Sequence, residues 1–201
     1  MNRAILAVDT ALSRCSVAVL QGDAVLAHLS EPMTRGHAER LAPMAAEAMQ
    51  AAGLAFAALD RIAVTTGPGS FTGLRVGLAF ARALAAALSR PCVGVSTLQV
   101  LALQDGAAGR RAAAIAAPGG VFFAVYADGR EEAAPARMTV AEACARLHGA
   151  QAAGPGAALL GCAAGGEHLD AVALARLAAA LDPAQHPPQP LYLREPYADA
   201  L

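Results

Sequence analysis

The chain alternates short apolar runs with tight turns before it settles into longer periodic segments. Positions 4–9, 15–20 and 24–29 are apolar runs of strand length, and Gln21-Gly22-Asp23 between the last two is a hairpin turn. Connections this short make the three strands antiparallel. A helical period follows over 37–52, with Leu41, Met44, Ala45, Ala48 and Ala52 on one face and Gly53 as its stop. Pro43 inside that window requires the helix either to begin near Leu41 or to kink. Positions 61–66 are a fourth strand, 72–88 a second helix and 91–95 a fifth strand, after which Ser96 caps a third helix reaching Gln104.

The resulting order, β-β-β-α-β-α-β-α, predicts an α/β sheet with an antiparallel start and parallel crossovers. That is the order of the actin-like ATPase (ASKHA), or ribonuclease-H-like, fold. Asp105-Gly106-Ala107-Ala108-Gly109 reads as a linker, so the chain divides into a first lobe, 1–104, a reduced second α/β lobe, 105–190, and a tail, 191–201, returning to the first lobe. The second lobe is expected to hold strands at 111–116 and 121–127. Thr139 and Glu142 form a capping box opening a helix to His148, Leu159-Leu160 reads as a short strand, and 170–181 as an amphipathic helix.

The organising stretch is Gly67-Pro68-Gly69-Ser70-Phe71-Thr72-Gly73, where strand becomes helix. Glycine opens backbone angles closed to other residues, and Ser70 or Thr72 can cap the helix. Gly73, Gly77, Ala81 and Ala85 then recur every four residues, making one side of the rod nearly bare backbone. Two uses fit such a segment: cradling an anion at the helix start, or docking another helix on the smooth flank. Docking is the use taken forward. The partner interface read from the sequence is Leu41, Met44, Ala45 and Ala48 on the first helix with Gly73, Leu74, Gly77, Leu78, Ala81 and Ala85 on the second.

Composition narrows the chemistry. Of 201 residues 56% are hydrophobic but only 4% aromatic, with no Trp, so the core must be closely packed and helix-rich. All 15 basic residues are arginine, which excludes a P-loop lysine or a lysine Schiff base. With a net charge of −1 and scattered arginines, the chain lacks the basic patch that grips nucleic acid unaided, so any contact with RNA would need a partner's charge. Four cysteines without a CxxC pair fit a reducing compartment. The short apolar run after Met1 is not a signal peptide, and Pro118-Gly119-Gly120 breaks the longest apolar stretch, so a cytoplasmic protein without a membrane span is expected.

Asp9-Thr10 closes the first strand. An aspartate there can hold Mg²⁺ near a nucleotide's phosphates, or it can accept local backbone N–H groups in a turn. Ala11-Leu12-Ser13 follows in place of a glycine turn, which favours the local role. Asp9, Thr10, Gly67, Gly69 and Ser70 together form a vestigial nucleotide-binding set. His37 opens the first helix, but Leu41 occupies the i+4 position a second metal ligand would need. No catalytic residue and no metal site are assigned.

Several of these stretches resemble one family. Ile5 to Ala11 with Cys15-Ser16-Val17-Ala18, His37 with Leu41 and Pro43-Met44, Thr66 to Gly77, Gly94 to Leu98, and Pro190-Leu191-Tyr192-Leu193-Arg194 together look like TsaB (YeaZ), the dimerisation subunit of the tRNA threonylcarbamoyladenosine (t6A) machinery. The resemblance implies a non-catalytic subunit that binds the transferase TsaD through a four-helix bundle. It implies TsaE in a larger complex with tRNA contacted only indirectly; a homodimer through the same helices stays open when TsaD is absent, and no cofactor is assigned beyond weak ATP or ADP with Mg at a lobe boundary in the complex. The family usually reads Ala-Ile-Asp-Ala-Arg at the start of the second lobe, whereas Ala116 and Pro118 stand at the aspartate and arginine positions here. Two rival functions are an actin-like ATPase or kinase, and an M22-type glycoprotease-like metallopeptidase.

Overall fold

A computed structural model describes residues 2–106, 108–163 and 168–193. Strands β1 (Ala4–Asp9), β2 (Arg14–Gln21) and β3 (Ala24–Pro32) are antiparallel, and β4 (Arg61–Thr65) and β5 (Cys92–Val95) add parallel to β1, in the order β3-β2-β1-β4-β5. Helices α1 (His37–Ala51) and α2 (Phe71–Leu88) supply the crossovers, and α3 (Thr97–Leu103) leads from β5 to the second sheet. This is the ribonuclease-H/actin-like arrangement expected from the element order.

A second sheet comprises β6 (Arg110–Ala117), β7 (Gly120–Ala127), β8 (Arg130–Glu131), β9 (Ala136–Met138) and β10 (Gln151–Ala153), ordered β10-β6-β7-β8 with β9 also on β7. Helix α4 (Val140–Leu147) opens on the Thr139–Glu142 capping box, and α5 (Ala171–Ala180) on the Asp170 carboxylate.

Period-two alternation divides these strands between separate cores. Leu6, Val8, Val17, Val19, Ile62 and Val64 pack beneath α1 and α2, while Ile5, Ala7, Ala18, Leu20 and Ala63 face the opposite way. In the second sheet Val121, Phe123 and Val125 face α4, and Ala113, Ile115, Ala124 and Tyr126 face the first lobe. The layers therefore run α1/α2, first sheet, α3/α5, second sheet, α4. Alanine dominates the inner layer, where two helices must fit between two sheets. Small side chains permit that close approach, which accounts for a core almost without aromatics.

Four details differ from the sequence expectations. Helix α1 starts at His37 and runs unbroken through Pro43, whose side lies in solvent. The Ser96 hydroxyl does not cap α3; it donates to the Gly67 carbonyl, 3.3 Å away. Leu159-Leu160 is not a strand but part of a 3-10 turn, Ala157–Leu160. Gly154, with φ of 101°, ends β10 and re-aims the chain so that Ala157 and Leu160 are buried.

The fourth is the lobe boundary. Helix α5 does not belong to the second lobe; it covers β1, β2, β4 and β5 of the first. The Arg61 guanidinium holds its C-terminal end, donating to the carbonyls of Ala178 and, at 2.9 Å, Leu181. A cation there supplements the last carbonyls of the helix, of which Ala178 O otherwise accepts only a long bond from Leu181 N, 3.4 Å away. The chain then stays on the first lobe, since Gly94 N donates to His186 O at 2.9 Å and Leu191 N to Thr66 O at 2.7 Å. The return thus begins at Ala171 rather than at 191. Arg194 and the rest of the tail, 194–201, lie outside the described residues.

Candidate functional site

The fold brings Asp9, Thr10, Gly67, Gly69 and Ser70 together at the C-terminal ends of β1 and β4, as the nucleotide set requires. Their hydrogen bonds, however, are spent on one another. Asp9 is buried, and its Oδ1 accepts from Ala11 N at 3.0 Å and from the Thr65 hydroxyl at 2.7 Å. Thr10 Oγ1 donates to Gly73 O at 2.7 Å, and Ser70 N donates to Ala11 O at 2.7 Å. Gly73 N reaches the Ser70 hydroxyl at 3.3 Å, so Ser70 caps α2.

Glycine is needed here because this chain's own turn fills the space. A side chain on Gly77 would place its Cβ 2.6 Å from Thr10 Oγ1, and one on Gly69 would lie 3.0 Å from the Ala11 carbonyl carbon. The carbonyls of Thr10 and Ala11 thus fill the space over Gly73 and Gly69 with acceptors, whereas a phosphate needs backbone donors. Burial pushes the Asp9 carboxyl up to about 6, against the hydrogen bonds from Thr65 and Ala11 that favour its ionised form. These residues do not fit a Mg-nucleotide.

The smooth flank assigned to a partner is sealed inside the chain. Leu41, Met44, Ala45 and Ala48 of α1 and Gly73, Leu74, Gly77, Leu78, Ala81 and Ala85 of α2 are all buried, and this assignment is corrected. The small residues let α2 lie directly on β1 and β4: Gly73 and Gly77 admit Thr10, and a side chain on Gly77 would also meet Val64, its Cβ 3.6 Å from Val64 Cγ2.

The opposite faces are open. On α1 Ala38, Ala42 and Ala46 are exposed, and on α2 Phe71, Arg75, Ala79 and Ala83 are exposed at four-residue spacing. Val76, Phe80 and Leu84 are only half buried. Helix α2 is apolar and long enough to cross a membrane, yet only a third of it is buried here. Tyr192 joins its head, its ring centroid 6.1 Å from that of Phe71, while the Arg75 guanidinium lies 3.9 Å over the Phe71 ring. Sequence reasoning missed this face, although the Phe71-Arg75-Ala79-Ala83 spacing was visible opposite Gly73 and Gly77.

Other candidate chemistry does not assemble. His37 is buried at the start of α1 with Nε2 unpaired, and among the described residues no three His, Cys, Asp or Glu side chains could hold a metal. Burial, chiefly, pushes the Cys15 and Cys92 thiols up to about 11 and about 12, away from nucleophilic thiolates. Ala116 is exposed near the end of β6 and Pro118 lies in the turn before β7, so neither the aspartate nor the arginine of the resembled family has a substitute there.

Fold and site define a two-lobed actin-like protein whose phosphate turn is closed by its own backbone and whose first-lobe helices are open. The sequence model described as TsaD, tRNA N6-adenosine threonylcarbamoyltransferase, matches residues 25–173. A solved YeaZ from Pseudomonas aeruginosa is 30% identical with a TM-score of 0.80, covering 95% of this chain and 100% of that one. An uncharacterized Mycobacterium tuberculosis protein is 34% identical over 98% of this chain and 94% of its own. The threonylcarbamoyladenosine biosynthesis protein TsaB of Escherichia coli is 39% identical over 126 residues, 61% of this chain and 54% of the relative. The chain belongs to the TsaB/YeaZ family, and its match spans about half the length of the curated TsaB proteins.

Proposed function

We propose that the chain is a non-catalytic subunit of the t6A biosynthesis machinery that binds and stabilises a TsaD-type transferase through the outward faces of α1 and α2. One observation carries this reading: the residues that could manage a phosphate are consumed internally, while α2 keeps an apolar face in solvent. An exposed apolar surface along two adjacent helices generally marks a protein partner. In this reading Ala42, Ala46, Ala79 and Ala83 on the exposed faces of the same two helices take the place of the buried flank. Catalysis and any bound nucleotide then belong to the partner, tRNA contacts this chain only within the assembly, and TsaE joins that larger complex.

Without a transferase, the same helices pair two copies. The ATPase and metallopeptidase alternatives gain no support from an occupied turn and unassembled ligands. The test is mass determination of the chain alone and mixed with the transferase. A one-to-one species is expected from the mixture, lost on Ala79→Arg. A mixture that stays as separate components, or an Ala79→Arg protein that pairs normally, would overturn the proposal.

A further inference from the structure

The second lobe holds a hollow of its own, away from the glycine turn and from the open helices. Strand β8 pairs with β7 at Tyr126 and Ala127, whereas β9 pairs with it at Val121, Phe122 and Phe123. Between the two, the chain bows away from the sheet edge over 132–135, Glu-Ala-Ala-Pro, held by the bond from Glu132 N to Val125 O at 3.0 Å. The short alanine side chains do not refill the space so opened. A cavity of about 260 Å³ remains between this segment and the C-terminal end of α4. Phe123 and Val125 seal its base, and half-buried Met138 gives it an apolar wall.

The hollow is braced. The Arg110 guanidinium donates to both carboxylate oxygens of Glu132, at 3.1 and 2.9 Å, and to the carbonyls of Leu147 and, at 3.0 Å, Arg146. One cation thus ties the 132–135 segment to the last turn of α4, and Pro135 stiffens that segment. A site held open in this way loses little freedom when it takes up a ligand.

The unspent charge at its mouth is positive. Glu132 is consumed by Arg110, and Glu142 by the N–H and hydroxyl of Thr139, each at 2.8 Å. Glu131 stands opposite Tyr126, on the face turned to the first lobe. Arg146 and His148 line the hollow and are exposed, and neither side chain has a hydrogen-bond partner among the described residues. Glu142, one turn before Arg146, attracts it without a hydrogen bond. A guanidinium fork and a ring N–H beside apolar walls suit a molecule with a carboxylate at one end and a ring or short chain at the other. Ligand cavities usually run to ~300–1,000 Å³, so this one takes a single ring rather than a nucleotide.

We propose that this hollow is a binding site for a small apolar carboxylate, its body against Met138 over Phe123 and Val125 and its anion on Arg146 and His148. The site is separate from the helices α1 and α2 and does not rest on the function proposed above.

The experiment titrates the isotope-labelled full chain with 4-phenylbutyrate and follows backbone amide shifts. Saturable shifts are expected at 123–125, 132–134 and 146–148, with a dissociation constant of about 1 mM, as ligand efficiency allows for so small a probe. The charge-reversed 4-phenylbutylamine should bind about tenfold more weakly or worse, and inorganic phosphate, which lacks the apolar body, should give no saturable shifts. Arg146→Gln should weaken phenylbutyrate by about fivefold or more, and Ala134→Leu should abolish its binding by filling the hollow. Thermal melts report the folding of each variant, and Arg146→Gln, in solvent, keeps the test decisive if Ala134→Leu unfolds. No saturable shift up to about 20 mM phenylbutyrate would overturn the proposal. So would equal binding of the amine or of bare phosphate, unchanged affinity in Arg146→Gln, or shifts that saturate only outside the hollow.

Discussion

The Thr10 hydroxyl donates to the carbonyl of Gly73, 63 residues away and 2.7 Å distant, and fastens the turn after β1 to the first turn of α2. Gly77 faces the same oxygen one turn later. In an open helix, Gly→Ala is worth about 0.5–1 kcal/mol of added stability. Here the new methyl would collide with Thr10 Oγ1, so Gly77→Ala should destabilise by about 1–3 kcal/mol. Thr10→Val should cost about 0.5–1.5 kcal/mol, the worth of one buried hydrogen bond, since the Gly73 carbonyl keeps its partner within the helix. Denaturant unfolding checks both, and a more stable Gly77→Ala protein would refute the locked turn.

Asp9 should make stability fall as the pH rises through the weakly acidic range. Its carboxyl stands at about 6 in the fold against an ordinary 3.8, chiefly because burial disfavours the charge. Its contribution is complete below 3.8 and is lost as the pH rises through about 6. The shift corresponds to about 3 kcal/mol at most. Glu31 and Glu47, held low by Arg40, act in the opposite sense but only below the ordinary glutamate value of 4.5. Both bonds to Asp9 fall on Oδ1, so the amide oxygen of Asp9→Asn can accept them. Unfolding free energy should then change less between pH 5 and 7 in the variant than in wild type. An unchanged difference would show that Asp9 does not titrate there.

Arg61 joins the two ends of the first lobe. Its guanidinium serves the last carbonyls of α5 from the start of β4. Arg61→Ala should cost about 2–4 kcal/mol, because several charge-assisted bonds vanish and buried carbonyls are stranded. It should also raise proteolysis of the 181–193 strap before global unfolding. A variant as stable and as resistant as wild type would contradict the clamp.

The local content of this fold was legible in the sequence. Positions 4–9, 61–66 and 91–95 are short apolar runs that become strands, and the Thr139–Glu142 box declares its helix. What was illegible depends on distant partners. Gly73 and Gly77 show a smooth flank but not that Thr10 fills it. The 170–181 period shows a helix but not which sheet it covers, because β2 and β4 are more than a hundred residues earlier. Nor could Phe71 announce Tyr192. The docking flank was therefore placed on the wrong side of α2: small residues mark close approach, and the sequence does not say whether the approaching backbone is foreign.

Two neighbouring alanines separate these alternatives. Ala81 is buried against the first sheet, and Ala83, two positions on, is exposed, so the two side chains lie on opposite sides of α2. Ala81→Arg forces a long cation into a core that holds Leu78 and Val64, and should unfold the isolated chain or cost about 3–5 kcal/mol. Ala83→Arg should leave the melting temperature of the isolated chain nearly unchanged. In the mixture with the transferase it should abolish pairing, because the guanidinium then stands where another helix must approach. Thermal melts together with light scattering read both properties at once. A folded Ala81→Arg protein that fails to pair would return the docking face to the small-residue flank, whereas an unfolded Ala81→Arg beside a folded, unpaired Ala83→Arg fixes it on the outer side.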